Sequence, residues 1–390
     1  MEAKRRMVTA SPENSETPLD DVASWVTPNR LFFVRNHFSV PNVDRDTWEL
    51  VLEGLVARPG RWTFSDLAAM PQHSVFATVE CAGNGRSFLQ EKAAGVQWGA
   101  GAIGHAEWTG VRLRDLLQPA GVKPGALEVV FEGADRGSEP DHPEPMHFSR
   151  SLPLAKALDP DTLVALRMNG EWLDANHGAP MRLFVPGWYG VASVKWLRAM
   201  RVIDEVYPGY FQTVKYSVDR LAGSGKRRVP LGPGVVKSEI LHPAAGVTVE
   251  PGTNRIAGIA WAGEQRIEGV EVSTDGGRNW QPAQLKGLQQ PYSWCQWECL
   301  WNVNTPGDYT LVARARGETG EAQPLAYDPN NLGYRINFAV PRTVSVREGG
   351  EAKSEFADAA MWADTMLAHA EENTRRALDL ELVFAGGEGI

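Results

Sequence analysis

The chain has 390 residues, 43% hydrophobic and 22% charged, with a formal net charge of −9. That suits a globular protein of two or three domains, each able to bury a core. No basic run is longer than Lys226-Arg227-Arg228, which argues against nucleic-acid binding, while an acidic surface is compatible with a basic partner. Cys81, Cys295 and Cys299 are the three cysteines, with no Cys-x-x-Cys pair and no disulfide framework among them.

The N-terminus begins basic, but residues 11–21 are polar and acidic. The sequence shows no secretory signal and no stretch of about 20 apolar residues that would span a membrane. The expectation is a cytoplasmic protein, or a periplasmic one if an export signal was trimmed. Residues 1–24 read as disordered. The fold begins at 25–41, where Phe32-Phe33-Val34-Arg35-Asn36-His37 delivers an arginine and a histidine together. This is either a solvated strand end or a place for an oxyanion. Trp48 to Leu55 alternates like a strand ending at Gly54, and Phe64 to Met70 reads as a short helix capped near Thr63 or Ser65.

A β-like run, Val75 to Val79, then leads into Cys81-Ala82-Gly83-Asn84-Gly85-Arg86. A strand that ends in a cysteine and a glycine-rich turn presents sulfur at a site edge, and the glycines permit close backbone approach. Arg86 is placed to lower the thiol's pKa and hold an anion. The alternative is a small buried hydrophobe.

Trp98 is suited to wall a pocket. Val111 to Leu117 reads as a helix stopped by Pro119, Val129 to Asp135 as a strand, Ser138 to Pro145 as a polar loop, and Leu163 to Gly170 as a strand and turn. His177 falls in a turn, Arg182 opens a buried strand, and Lys195 rides on a strand from Gly190 to Leu197. A buried lysine must be paired. The three groups either hold an anion such as a phosphate or are separate surface charges.

Residues 221–238 form a linker by composition. Short, evenly spaced strands then fill 239–348, with turns at Asp275-Gly276-Gly277 and Pro306-Gly307-Asp308. This suggests an immunoglobulin-like sandwich. Cys295 and Cys299 read as packed within one of its strands. Residues 349–390 read as a helical tail, with Phe356, Ala360, Ala363, Leu367 and Ala370 on one face.

Cys81-Ala82-Gly83-Asn84-Gly85-Arg86 resembles the molybdenum-binding motif of the sulfite oxidase family. The resemblance runs over residues 25–340. It includes Phe32 to His37, Phe131-Glu132-Gly133-Ala134-Asp135, His177-Gly178-x-Pro180-x-Arg182, Ser193 to Leu197, Tyr216, and Trp261 through Trp280. It implies an α+β fold: a molybdopterin-binding catalytic domain over 25–220, then an immunoglobulin-like dimerisation domain. Cys81 would be the protein ligand of molybdenum. Phe33, Val34, Arg35, Asn36, His37, Asp135, His177, Arg182, Ser193, Val194 and Lys195 would hold the pterin cofactor, molybdenum-molybdopterin. Arg35, Arg86 and Tyr216 would form the catalytic anion pocket, with Trp98 as its wall.

The implied activity is oxidation of sulfite to sulfate by oxygen-atom transfer. Electrons would pass singly to an external acceptor such as a cytochrome c, in a homodimer. No Cys-x-x-Cys-His motif is present, so no haem is expected. Gly85 and Leu332 stand where animal members often carry arginine, which leaves the pocket less basic. The rivals are a nitrate or sulfoxide reductase on the same scaffold, and a non-catalytic binding protein. Arg35 and Arg86 with Tyr216 favour sulfite; an intact Cys81 disfavours the binding protein.

Overall fold

The computed structural model describes residues 3–21, 24–222 and 225–348. The helical-tail expectation for 349–390 lies outside the described residues. Strands dominate; among the described residues the α-helices are short, the longest being Leu113–Ala120.

Two five-stranded sheets build the first domain. One runs Glu171–Trp172, Leu163–Met168, Ile103–Arg112, His73–Glu80, with Arg182–Phe184 also paired to Leu163–Met168. The other runs Gly60–Thr63, Glu49–Gly54, Leu197–Ile203, Glu128–Glu139, His142–Pro153. Apolar faces of both meet in a core that includes Leu50, Leu52, Phe131, Leu183 and Met200, all essentially without solvent contact. Gly54 sits at φ +90°, and a Cβ there would lie 2.2 Å from the Val202 carbonyl, so only glycine lets these parallel strands meet.

The second domain stacks a four-stranded sheet (Lys237–His242, Gly252–Trp261, Cys295–Val303, Gln284–Lys286) on a five-stranded one centred on Gly307–Gly317. Trp297, Trp301, Val272 and Leu311 fill the space between them. Cys295 and Cys299 are buried and free in their strand, as the sequence suggests. Asp275 accepts from the N–H groups of Arg278 and Asn279 and turns the chain between paired strands. The Pro306-Gly307-Asp308 turn instead carries the chain from one sheet to the other. A third cluster, Leu19, Ile103, Leu241, Ile259, Trp261 and Trp294, joins the two domains.

Several expectations need correction. Residues 1–24 include two strands, Arg6–Ala10 and Glu13–Glu16, which pair with Val34–Arg35 in a three-stranded sheet. Their polar composition reads as disorder, yet pairing against the body satisfies the polar groups. Ser138 to Pro145 is not a loop but the tip of a long hairpin whose strands reach Glu139 and His142. The 221–238 segment holds a strand, Gly225–Pro230, paired with Ser217–Ala222. Lys195 lies before, not on, a strand, which begins at Leu197. No helix among the described residues is long and apolar enough to cross a membrane.

Candidate active site

The strand His73–Glu80 grows steadily more buried toward its end and delivers Cys81 to the first domain's interior, where its N–H bonds the Ala102 carbonyl at 2.9 Å. Cys81 lines a cavity whose empty space, open mouth included, is about 690 Å³. Phe33, Arg35, Asn36, His37, Asp135, His177, Arg182, Ser193, Lys195 and Tyr216 line it too. Residues spread over 180 positions of sequence thus meet around one sulfur.

The remaining named residues fall elsewhere. Val34 and Val194 are buried beside the lining, not in it. Trp98 is wholly buried against the Cys81 side of the core and does not line this cavity. Arg86 is also buried. It donates Nε and Nη2 to the Gly333 carbonyl at 3.0 and 2.9 Å, and Nη1 to that of Val96 at 2.8 Å. Its guanidinium fills the place beside Gly83 where a Cβ would be 2.5 Å away. The turn's glycines therefore admit a guanidinium and the second domain. Gly85, at φ +93°, faces Ile336. Leu332 is partly exposed in a left-handed conformation at the end of the turn Pro329–Asn331.

The cavity is crowded with cations. Lys195 Nζ donates to Asn36 Oδ1 and, at 2.8 Å, to the Asn176 carbonyl. Arg182 donates to the carbonyls of His177 and Ser193 at 3.1 and 2.9 Å. His177 shares Nδ1 with Asp174 at 2.9 Å. Burial, then the charge of Arg182, drives the Lys195 ammonium well below its usual value. Burial lowers Arg182 to about 9 and raises Asp135 to about 6 against the pull of Lys195. Burial works to raise Asp174, but the His177 hydrogen bond holds it down at about 2. These groups repel or desolvate one another unless a polyanion joins them.

Three buried polar atoms in this lining have no partner: Asn36 Nδ2, His177 Nε2 and Arg182 Nε. Each unsatisfied group costs about 1–3 kcal/mol. An acceptor-rich, phosphate-bearing cofactor fits such a lining.

Around Cys81 the character changes. Burial raises its thiol, while Arg35, the Gly83 backbone and then the charge of Arg86, as the sequence suggests, oppose that rise. A metal would replace the proton. Arg35 Nη2 reaches the Tyr216 hydroxyl at 3.4 Å, and the same hydroxyl is 2.5 Å from His37 Nε2. His37 packs on Phe148 and Phe211, and burial with the charges of Arg35 and Lys195 keeps it well below its usual pKa.

The sequence reading missed Asn176, Phe148 and Trp196 in the lining, and Asp174 behind His177. Asp174 and Asn176 stand within three residues of His177 and were visible as its neighbours. Phe148 lay just beyond a stretch misread as a loop.

The family described as oxidoreductase molybdopterin binding domain matches residues 37–211, and the one described as Mo-co oxidoreductase dimerisation domain matches 235–338. The mitochondrial sulfite oxidase of Drosophila melanogaster is 36% identical, covering 81% of this chain and 58% of that protein. The sulfite oxidase of Gallus gallus is 35% identical, covering 83% of this chain and 74% of that protein. The chain thus spans less than two thirds of the Drosophila protein's length. The crystal structure of the sulfane dehydrogenase SoxCD from Paracoccus pantotrophus superposes with a TM-score of 0.76 at 32% identity, covering 87% of each chain. With both domains matched and the cysteine-centred cavity in place, the chain belongs to the sulfite oxidase family of molybdopterin oxidoreductases.

Proposed function

We propose that this protein oxidises sulfite to sulfate, adding an oxygen atom derived from water and releasing two protons and two electrons. The observation that carries the reading is Cys81 in the cavity lining together with Arg35 and Tyr216, which are hydrogen-bonded to each other. When bound, the molybdenum–pterin group supplies the two-electron acceptor and the transferable oxygen. Cys81 Sγ, a soft donor, would be its metal ligand. Arg182, Lys195, His177 and Asn36 would hold its phosphate and polar edge, with Asp135 near the pterin nitrogens, Phe33 and Ser193 on the walls, and Val34 and Val194 packed behind them.

The chain's own residues set the substrate end. Arg35 counters the anion's charge in a poorly solvated place, where such pairing is strong. The Tyr216 hydroxyl accepts from Arg35 and donates to neutral His37, which fixes both. We further propose an immunoglobulin-like second domain that pairs two copies, and an external one-electron acceptor such as a cytochrome c.

A second reading has one observation behind it. Arg182 is committed to backbone carbonyls and Arg86 lies outside the cavity, so Arg35 is the arginine left for the substrate. A single guanidinium also suits a less charged sulfur compound, such as the sulfane sulfur named for the similar SoxCD structure.

The test is sulfite-dependent reduction of ferricyanide by protein of known molybdenum content, beside Cys81→Ser. Turnover lost in the variant is expected. A molybdenum-loaded, inactive wild type overturns the sulfite reading and sends a persulfide substrate into the same assay.

A further inference from the structure

The N-terminal hairpin belongs to neither matched domain, yet it touches the anion end of the cavity. Glu13–Glu16 is the middle strand of its small sheet, and Asn14 pairs directly with Arg35. Asn14 is 2% exposed. Its Oδ1 accepts from the Asn36 N–H at 3.0 Å and from Arg35 Nη1 at 3.3 Å. Its amide is held in turn, donating to Thr9 Oγ1 at 2.7 Å and to the Pro12 carbonyl at 3.1 Å. Thr9 donates to the same carbonyl at 2.9 Å. The orientation of Oδ1 is therefore set from behind, by hairpin atoms alone.

Two further contacts make the hairpin a strap. Glu13 accepts from the side chain of Asn176, a lining residue, at 3.2 Å, and from Arg5 and Ser15 at 3.1 and 2.9 Å. Thr17 accepts from the Phe33 N–H at 3.1 Å and donates to the Ile103 carbonyl at 2.7 Å, joining the Phe33 segment to the strand beside Cys81. Phe33, Arg35, Asn36 and Asn176 are thus all tethered to residues 13–17.

From this geometry we infer that residues 6–17 position Arg35, and that Asn14 is a positioning residue for the anion subsite. A long, flexible arginine binds an anion well only when its planar fork is pre-aimed. Asn14 and Tyr216 grip the guanidinium from two sides, and the Asn36 carbonyl, itself placed by the Asn14 bond to the Asn36 N–H, also accepts from Nη1. Because Asn14 is neutral, it fixes the arginine without cancelling its charge; a carboxylate in the same place would hold the fork and compete with the substrate. The inference rests on the proposed anionic substrate.

The experiment compares full-length, molybdenum-loaded wild type with Asn14→Ala and with Thr9→Val, a milder change that frees one bond of the Asn14 amide and the Thr9 bond to Pro12 while leaving Asn14 Oδ1 in place. Three readouts are taken: steady-state sulfite kinetics, sulfate affinity by titration calorimetry, and crystal structures. The expected result for Asn14→Ala is a rise in KM of roughly tenfold with kcat nearly unchanged, since the loss of one hydrogen bond to a charged donor falls in the binding step. Sulfate affinity falls by a similar factor, molybdenum content is retained, and the Arg35 guanidinium leaves Tyr216. Thr9→Val moves all three the same way by less, and decides the matter alone if Asn14→Ala does not fold. Unchanged KM and sulfate affinity, or an Arg35 that keeps its place in the crystal, overturns the inference. A wild type that does not turn over sulfite refutes the functional reading instead, and the Arg35 position in the variant crystals still judges the strap.

Discussion

Lys237, on the first strand of the second domain, holds its ammonium 3.4 Å from Glu80, the residue before Cys81. Glu239 lies 3.6 Å from the same ammonium, and all three side chains are buried. Glu80 also accepts from Asn84 at 3.1 Å and from Trp261 at 3.0 Å, and Asn84 Oδ1 takes the Ala102 N–H. One cation thus ties the cysteine turn to the other domain. Burial raises the Glu239 carboxyl, and Lys237 pulls it back.

Lys237→Met should therefore cost about 3–5 kcal/mol, because it strands two carboxylates without their counter-charge. Urea unfolding measures the loss, and molybdenum retention on dialysis reads its effect on the turn. A variant within about 1 kcal/mol of wild type would mean water already solvates this junction.

Arg35 and Arg86 looked alike in the sequence, but Arg35 lines the cavity while Arg86 is bonded to backbone carbonyls. Arg86→Met breaks three charge-assisted bonds to carbonyls, two of them to Gly333 of the second domain. It should lower stability by about 2–4 kcal/mol while sulfite KM stays within about threefold. Arg35→Met should do the reverse, raising KM by roughly 30-fold or more with a smaller loss of stability. Paired kinetics and denaturation of the two variants decide it; equal KM effects would return Arg86 to the pocket.

His105 gives the molecule an acid limit. It is wholly buried among Trp25, Phe76 and Trp294, with Nδ1 at 3.1 Å from Thr78 Oγ1, and burial lowers its pKa to about 3. The folded-state pKa lies below the unfolded one, so between about 6.5 and 3 the unfolded chain binds the extra proton. Stability attributable to this group is full above pH 6.5 and falls as pH drops, by about 1.4 kcal/mol per unit. His105→Phe should flatten the pH–stability curve by about that slope, read as denaturation midpoints from pH 7 to 4. An unchanged slope would show that the ring is protonated in the fold.

The strands and the site motifs were legible because their signals are local. Alternation marks the strand before Gly54, and the capping residue Thr63 accepts from Asp66 as its sequence suggests. The glycine-rich turn marks Cys81. What was not legible depends on distant partners. Asn14 reads as disorder until Arg35 is beside it, and the bonds of Arg86 to Gly333, 247 residues away, leave no local signal. Lys195 is held by Asn36 and Asn176, not by a strand ladder. Polar residues whose partners come from another element carry no periodicity, so pattern alone assigns them to loops and surfaces.

The Tyr216 hydroxyl offers the sharpest test of the substrate end. It stands 2.5 Å from His37 Nε2 and 3.4 Å from Arg35 Nη2. His37 is neutral, since burial and then Arg35 and Lys195 press its pKa well below the usual value. Its Nε2 therefore accepts, the phenol donates to it, and the phenol's lone pair faces Arg35. Tyr216→Phe removes both bonds at once and leaves the ring packed on Tyr334. The expected loss in kcat/KM is about 1.5–3 kcal/mol, or roughly 10- to 150-fold. Because a depressed histidine pKa keeps His37 uncharged above its folded value, kcat/KM should show no His37 inflection near pH 6.5. A pH profile with an inflection there that disappears in His37→Phe would reverse the hydrogen-bond direction and make imidazolium the donor to Tyr216.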